Sequence, residues 1–510
     1  MSVAHALEGA MAAAVDRHRC GDFEAAESMY RQVLRSEPEQ PDALHLMGLL
    51  AFQTDRLADS IYFFRRALAV RPMFANAWHS LAKALHLQGR ADEASVAYRR
   101  AISLANDYVE AYCDYATLLA ERGQVDEAIA AYQDALSHKP EFVLAQYNLS
   151  LLLLLKGDYQ QGFRMHESRW RASELGLIQR NFTQPQWRGE PLNGRRILLH
   201  CEQGFGDAIQ FIRYAPHVAE RGGKVIIECH AALKSLFSNI VGVDQVIVED
   251  SPLPPFDLHC PLHSLPLAMG TTVETIPSHI PYLHADLQRA EQWKTCTNSD
   301  SGTLKVGLVW AGRSTHDNDR NRSLNLKDLE PLTHIAGVSL YSLQKGQRNS
   351  RTDPAAHRIA LIDHTDELND FSDTAALIAN LDLVITVDTS VAHLAGAMGK
   401  PTWVLLPFLP DWRWMLERSD SPWYSTVRLF RQSKIGDWKS PIEEVLQALH
   451  HAVDAIQNGE SYGQGDLSQH PTPSRTTTRR ISRPLVDQPE KPKMDGGNKL
   501  PTAPKNGYVN

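Results

Sequence analysis

The chain has 510 residues, 43% hydrophobic and 22% charged, a profile of soluble globular domains in a chain too long for a single one. Its formal net charge of -8 excludes a general nucleic-acid binder, which needs a basic surface, but not a local basic pocket for a phosphate. The cysteines, Cys20, Cys113, Cys201, Cys229, Cys260 and Cys296, fall into no paired or zinc-like spacing, so a reduced, cytoplasmic setting is expected.

The N-terminus, MSVAHALEGAMAAAVDRHRC, has no basic region ahead of an apolar core and does not read as a signal peptide. The most apolar short run, Leu149 to Leu155, is far below the roughly 18 residues that span a bilayer, so no transmembrane segment is expected. GDFEAAESMYRQVLRSEP (21–38), GRADEASVAYRRAISLAN (89–106) and GQVDEAIAAYQDALSHKP (123–140) align with Gly, Ala, Tyr and a small residue in register. The unit between them keeps Gly48, Phe64, Ala67 and Pro72. The offset is the period of about 34 residues of helical-hairpin repeats. These positions resemble the tetratricopeptide repeat family, which implies an all-α solenoid over 7–175 with about five units. Small residues let paired helices approach and aromatics fill the gaps between units, so nearly all of them serve the core. Function in such a solenoid lies on its concave face, which fits a protein partner or an extended peptide. The last unit is atypical, with Gly162 in place of Ala and bulky residues following. It is expected to dock on the next domain, with Trp170 and Trp187 leading into it.

From Arg195 the pattern changes. RRILLHC, a Gly-containing turn EQGFGDA, an amphipathic run IQFIRYAPHVAERGG and KVIIEC read as strand, turn, helix and strand of a parallel unit. VDQVIVED and FDLHCPLHSLP continue it. Residues 285–303 turn polar and read as a linker. KVGLVWAG (305–312), YSLQKG (341–346), IALIDHT (359–365), LVITVDTS (383–390) and TWVLL (402–406) restart the strand pattern. The expectation is two Rossmann-like domains, 190–290 and 304–457, with the ligand cleft beyond the carboxyl ends of the strands. Residues 458–510, rich in Pro, Gly, Ser and Thr, read as a disordered tail.

Three stretches carry chemistry. In VDTSVAHLAGAMGKPTWVLL (387–406) a strand ends at Asp388, Thr389 and Ser390 start a helix, and His393 follows one turn in. Free N–H groups at a helix start attract anions, and these side chains suit a phosphate. Ordinary capping by Ser or Thr with a packed histidine is the structural alternative. In EQGFGDAIQF (202–211), Gly204 and Gly206 permit close backbone approach and Asp207 starts a helix, either as a cap or as a general base. In VWAGRSTHDNDRNRSLNL (309–326), a strand ends at Gly312 before Arg313, Arg320 and Arg322, any of which suits a phosphate. The triplet Asp317-Asn318-Asp319 invites a metal reading, which ranks below stabilisation by cations and a helix dipole. Gln344 and Lys345, at the end of YSLQKG, are either nucleotide contacts or loop polarity. Trp412, Trp414, Trp423 and Tyr424 are either acceptor contacts or packing.

Together these stretches resemble the glycosyltransferase family 9, heptosyltransferase-like group of the GT-B fold, over about 190–455. DTSVAHLAGAMGKPTWVLL resembles its C-domain motif, with Ser390 where that motif has Gly, so the donor contacts differ. EQGFGDAIQF resembles its N-domain loop. The joined arrangement is similar to bacterial proteins with tetratricopeptide repeats ahead of a family 9-like domain. The resemblance implies a repeat solenoid followed by an α/β GT-B glycosyltransferase acting on a nucleotide-diphosphate sugar, with no resident cofactor and no metal. Asp207 would be the base of an inverting transfer to a protein or saccharide hydroxyl. Gly204, Gly206, Gly312, Arg322, Gln344, Lys345, Asp388, Thr389, Ser390 and His393 would hold the donor. The rivals are a nucleotide-sugar epimerase of the same fold, which resembles a Glu-bearing pattern absent here, and a non-catalytic repeat scaffold with a degenerate transferase domain.

Overall fold

A computed structural model describes residues 3–297, 303–316, 318–346, 359–458 and 467–468. It divides into two compact units, one ending at Asn106 and one beginning at Asp107. The first unit is helical: α1 (Val3–Arg19), α2 (Phe23–Ser36), α3 (Pro41–Gln53), α4 (Leu57–Val70), α5 (Ala75–Leu87) and α6 (Ala91–Leu104). They pack as the hairpins α1/α2, α3/α4 and α5/α6. The hairpins are built alike. Ala26, Tyr30, Phe64, Ala94 and Tyr98 are buried at equivalent points. Each turn puts one residue in left-handed backbone, Gly21, Asp55 and Gly89, which ends the first helix and lets the second fold back.

The second unit opens with two more hairpins, α7 (Val109–Glu121) with α8 (Val125–His138) and α9 (Val143–Leu155) with α10 (Tyr159–His166). The N-terminal part of the chain is thus an all-helical repeat solenoid. The bulky residues of the last hairpin are explained by what it covers. Leu149, Leu152, Leu153, Leu154 and Leu155 are buried, because α9 packs on α8, on α10 and on the Trp412–Trp414 turn of the following α/β region. Tyr159 stacks on Trp423 at 5.9 Å, and Trp423 Nε1 donates to its hydroxyl at 3.0 Å. Phe163 meets Trp412 edge-on at 5.6 Å. Trp187 instead packs within the first sheet's own core, its indole N–H bonded to the Glu190 carbonyl at 2.8 Å.

Two wholly parallel sheets follow. The first has order β3-β2-β1-β4, from β1 (Arg196–His200), β2 (Lys224–Cys229), β3 (Val243–Val248) and β4 (Leu258–Pro261). Its helices are α11 (Phe205–Phe211), α12 (Ala215–Glu220), α13 (Lys234–Phe237) and α14 (Leu265–Ala268). The second has order β10-β9-β8-β5-β6-β7, from β5 (Leu304–Val309), β6 (Val338–Ser342), β7 (Leu361–Ile362), β8 (Leu383–Val387), β9 (Thr402–Leu406) and β10 (Val427–Arg431). Every residue of β8 and β9 is buried, as parallel strands covered on both faces must be. Strand order reverses between β1 and β4 and between β5 and β8. Crevices at the carboxyl ends of strands form at such reversals.

The polar stretch read as a linker is helical over α15 (Leu287–Thr297). Only Trp293 and Thr297 are buried along it, so it lacks an apolar stripe in the sequence. Arg289 anchors it to α17 (Phe371–Ala379), with Asp370 at 2.9 Å and Asp373 at 2.8 Å. The remaining helices are α16 (Asp319–Arg322), α18 (Ser390–Ala397) and α19 (Lys439–Gln457). Most of the stretch read as a tail lies outside the described residues. Of it, Leu467 is buried and its carbonyl accepts from Trp403 Nε1 at 2.8 Å. Among the described residues no helix is long and apolar enough to cross a membrane, and the six cysteines are unpaired.

Candidate functional site

A cavity of about 1120 Å³ opens at the carboxyl ends of both sheets. The loop after β1 supplies Gly204, Gly206 and Asp207 to its wall. The segments after β5 and β6 supply Gly312, Arg322, Gln344 and Lys345. The turn from β8 into α18 supplies Asp388, Thr389, Ser390 and His393. Three stretches widely separated in sequence thus meet on one cavity.

Asp207 is tightly held. The Gly204 N–H donates to its Oδ2 at 3.0 Å, closing the start of α11. Arg413 Nη2 donates to its Oδ1. His263 Nε2 stands 3.4 Å from the same oxygen. Burial alone would raise this carboxyl, but Arg413 and His263 outweigh it and hold it well below the usual range. Asp207 is therefore a carboxylate at any ordinary pH, and a weak base while Arg413 stays on it. Arg413 also donates to Asp411 at 2.9 Å, and its flank covers the Trp412 ring at 4.5 Å.

At the other wall, α18 starts without a side-chain cap. The Thr389 hydroxyl pairs with Thr386 at 3.1 Å instead of closing the first turn. Capping by Ser or Thr, the structural alternative for this stretch, is therefore not what these residues do. His393 is buried, stacked on Trp414 at 5.4 Å, with Nδ1 2.9 Å from the Tyr424 hydroxyl. Burial, with Arg413 adding to it, pushes His393 down to about 3, so the ring is neutral. Burial, reinforced by Asp411, pushes Asp388 up to about 6. Near neutral pH it is thus close to exchanging its proton.

Arg322 comes from α16 and lies against Gly312, where a Cβ would come within 2.7 Å of Nη2. Its Nε is buried and has no hydrogen-bond partner, and the residue lines the cavity. Arg313 also lines the cavity, whereas Arg320 is exposed elsewhere. Of the acidic triplet, Asp317 lies outside the described residues. Asp319 is buried and accepts from the Ser323 hydroxyl at 2.6 Å, and that hydroxyl accepts from the Gly312 N–H at 2.9 Å. Asp319 thus shapes the loop.

Gln344 is used up by backbone. Its Oε1 accepts from Trp310 N at 3.1 Å and Ala311 N at 2.9 Å, and its Nε2 donates to the Ala311 carbonyl at 3.0 Å. It holds the end of β5 in shape. Lys345 Nζ donates to the Leu368 carbonyl. Trp412, Trp414, Trp423 and Tyr424 are all buried and pack the repeats and α18 in place.

Sequence reading missed Arg413, His263 and Tyr147. Arg413 sits among the tryptophans of PDWRWM and was masked by them. Tyr147, from α9, puts the last repeat hairpin on the cavity wall. No spacing signal marks any of the three, because their partners are distant in the chain.

Comparison with known proteins finds similarity in both the helical and the α/β regions. Tetratricopeptide repeat models match residues 11–71, 75–108 and 113–163. The model of glycosyltransferase family 9 (heptosyltransferase) matches residues 368–405, the stretch from α17 through α18 that carries Asp388 and His393. Protein FlbA of Caulobacter vibrioides (strain ATCC 19089 / CIP 103742 / CB 15) is 26% identical over 312 residues, 57% of this chain and 52% of FlbA. The match thus spans about half the length of that relative. Among solved structures, MamA is 25% identical over 31% of this chain and 93% of its own, with a TM-score of 0.29. YrrB, described as a TPR protein with an unusual peptide-binding site, is 18% identical over 32% of this chain and 84% of its own, with a TM-score of 0.28. Helix hairpins under the repeat models and a strand-to-helix turn under the family 9 model give this chain tetratricopeptide repeats ahead of a region similar to glycosyltransferase family 9.

Proposed function

We propose that the α/β region is a GT-B glycosyltransferase, with residues 190–290 as its acceptor-side domain and 304–457 as its donor-side domain. The donor is a nucleotide-diphosphate sugar and the transfer inverts the anomeric centre. The acceptor oxygen forms a bond to the anomeric carbon. The bond from that carbon to the diphosphate oxygen breaks, and its electron pair leaves with the diphosphate. The acceptor proton passes to Asp207 and then to solvent. Base catalysis of this kind contributes about 10²–10⁴ in rate.

One observation carries the reading: Asp207, Arg322 and the uncapped start of α18 open on a single cavity at the carboxyl ends of two parallel sheets. The leaving diphosphate is met by the helix start, by Arg322, by Arg413, and by Asp388 in its protonated form. This charge needs no metal ion. A diphosphate that draws Arg413 toward itself also loosens the ion pair on Asp207, so donor binding strengthens the base. The repeats present a protein or saccharide acceptor, and their concave face also suits a protein partner. The setting in this reading is cytoplasmic.

A second reading has one observation in its favour. The clamp of Arg413 and His263 on Asp207 also suits a retired base, and the protein would then be a scaffold. Calorimetric titration with UDP, GDP, ADP and CDP separates the two. A transferase binds one of them, loses it in Asp388→Ala/His393→Ala and keeps it in Asp207→Ala. A folded protein that binds none is a scaffold.

A further inference from the structure

We propose that His263 is a positioning residue, holding Asp207 through an unbroken row of alternating charges that starts on Arg169 at the end of the repeats. The inference rests on the transferase reading above. His263 follows β4 and Asp207 follows β1, the two strands between which the first sheet reverses order. The imidazole is 4% exposed and is not on the cavity wall, so it touches no substrate. Its Nε2 lies 3.4 Å from Asp207 Oδ1 and its Nδ1 lies 3.2 Å from Glu202 Oε1.

That geometry favours a charged ring. A neutral imidazole has one N–H and one lone pair. Here it would turn the lone pair on a buried carboxylate, whichever tautomer it took. Only the doubly protonated ring sets positive charge against both carboxylates, as ion pairs at 3.2 and 3.4 Å in which neither ring nitrogen closes a hydrogen bond. Burial disfavours that cation, but Asp207 and then Glu202 outweigh burial and raise His263 above its ordinary value. The other charged and titratable groups around it agree. Arg169 Nη2 pairs with Glu202 at 2.8 Å and Nη1 with Glu167 at 2.6 Å. Arg413 covers Asp207 from the far side. His166 of α10 stacks on His263 at 6.0 Å and is itself pushed well down by burial, with Arg169 adding, so it brings no second cation.

The row Arg169–Glu202–His263–Asp207–Arg413 therefore alternates in sign from the segment after α10 to the cavity wall. Oδ1 of Asp207 faces His263 and accepts from Arg413, which leaves the second lone pair of Oδ2, beside the Gly204 N–H at 3.0 Å, to receive a substrate proton. Arg169 is fully buried and also donates to Ser264 at 2.8 Å, the residue beside His263. The end of the repeats thus builds the support of the site as well as leading into it.

The test uses the full chain and a panel of UDP-, GDP-, ADP- and CDP-sugars, with release of the nucleoside diphosphate followed and water as acceptor. His263→Gln should lower kcat about 100-fold, the scale of an ångström-sized misplacement, with KM and nucleotide affinity unchanged. Wild type should lose kcat at alkaline pH as His263 discharges, and His263→Gln should lack that limb. Glu202→Gln, which keeps shape and should fold where His263→Gln does not, should move the limb to lower pH. A wild type that turns over, beside variants with its kcat and an unmoved alkaline limb, overturns the inference alone. A folded wild type that binds and releases no nucleoside diphosphate overturns the transferase reading and this inference with it.

Discussion

Gly206 faces His393 so closely that a Cβ on it would come 3.0 Å from Cδ2 of the ring and 3.5 Å from the Cα of Ser390. α11 and α18 are thus held together at their starts, one carrying Asp207 and the other the family 9-like turn. Gly206→Ala should push the two apart by a few tenths of an ångström. Overpacking of this kind costs about 1–3 kcal/mol. The expected result is a lower thermal midpoint together with weaker nucleoside diphosphate binding. Unchanged binding beside a lower midpoint would show that the α11–α18 contact does not shape the anion site.

Arg413 is buried between Asp207 and Asp411 and stands over Trp412. Removing one partner of a buried ion pair leaves the other charge uncompensated, at about 3–5 kcal/mol. Arg413→Met should therefore lower the unfolding midpoint more than any exposed Arg→Met change, such as Arg320→Met. Arg413 Nε also donates to Gln210 Oε1, and Arg413→Lys should recover only part of the loss, because a point charge cannot reach Asp207, Asp411 and Gln210 as the planar fork does. Thermal unfolding of the three variants checks the order.

What could be read from the sequence was local. The repeats show a period, and Asp388–His393 shows a strand that stops at a helix start, so both can be seen in a short window. Gly206 stood out for the same reason, and what packs against it is the start of α18. Gln344 was legible as a polar strand end but not as a side chain spent on the Trp310 and Ala311 backbone. α15 escaped because its core contact is little more than Trp293 and Thr297. Arg413 and His263 escaped because their meaning lies in distant partners: Arg413 reaches Asp207 across 206 residues of chain, and no periodicity spans that distance.

Arg322 carries a buried Nε with no partner on the same wall as the start of α18. Hydrogen bonds to charged groups contribute about 1.5–3 kcal/mol each. Arg322→Gln should weaken nucleoside diphosphate binding about 10- to 100-fold, on the scale of about 1.4 kcal/mol per factor of ten. It should leave nucleoside binding unchanged, since only the phosphates are contacted. Calorimetry with matched nucleoside and nucleoside diphosphate reads the difference. Equal losses for both ligands would put Arg322 on the base or the ribose instead.

Asp388 gives the site its pH response. Its carboxyl is pushed up to about 6 in the folded chain, first by burial and then by Asp411, against about 3.9 when unfolded. The folded state thus holds this proton more tightly. Its contribution to stability is full below about pH 4 and is lost as pH rises through 6, on the order of 3 kcal/mol over the window. His393 works in the opposite direction. Its pKa is lowered to about 3 by burial and Arg413, so its contribution is full above about 6.5 and is lost as pH falls toward 3. The two offset each other in wild type, and Asp388→Asn separates them. The variant's midpoint should gain on wild type as pH rises from 4 to 6 and hold a constant lead above. The protonated carboxyl donates to a diphosphate oxygen where the carboxylate repels it. Nucleoside diphosphate binding by wild type should therefore take up a proton near pH 7 and tighten on acidification by up to about tenfold per pH unit, the limit for one linked proton. Asp388→Asn, which always offers an N–H, should lack that added dependence beyond the ligand's own titration. Parallel pH slopes for the two proteins would remove Asp388 from the diphosphate site.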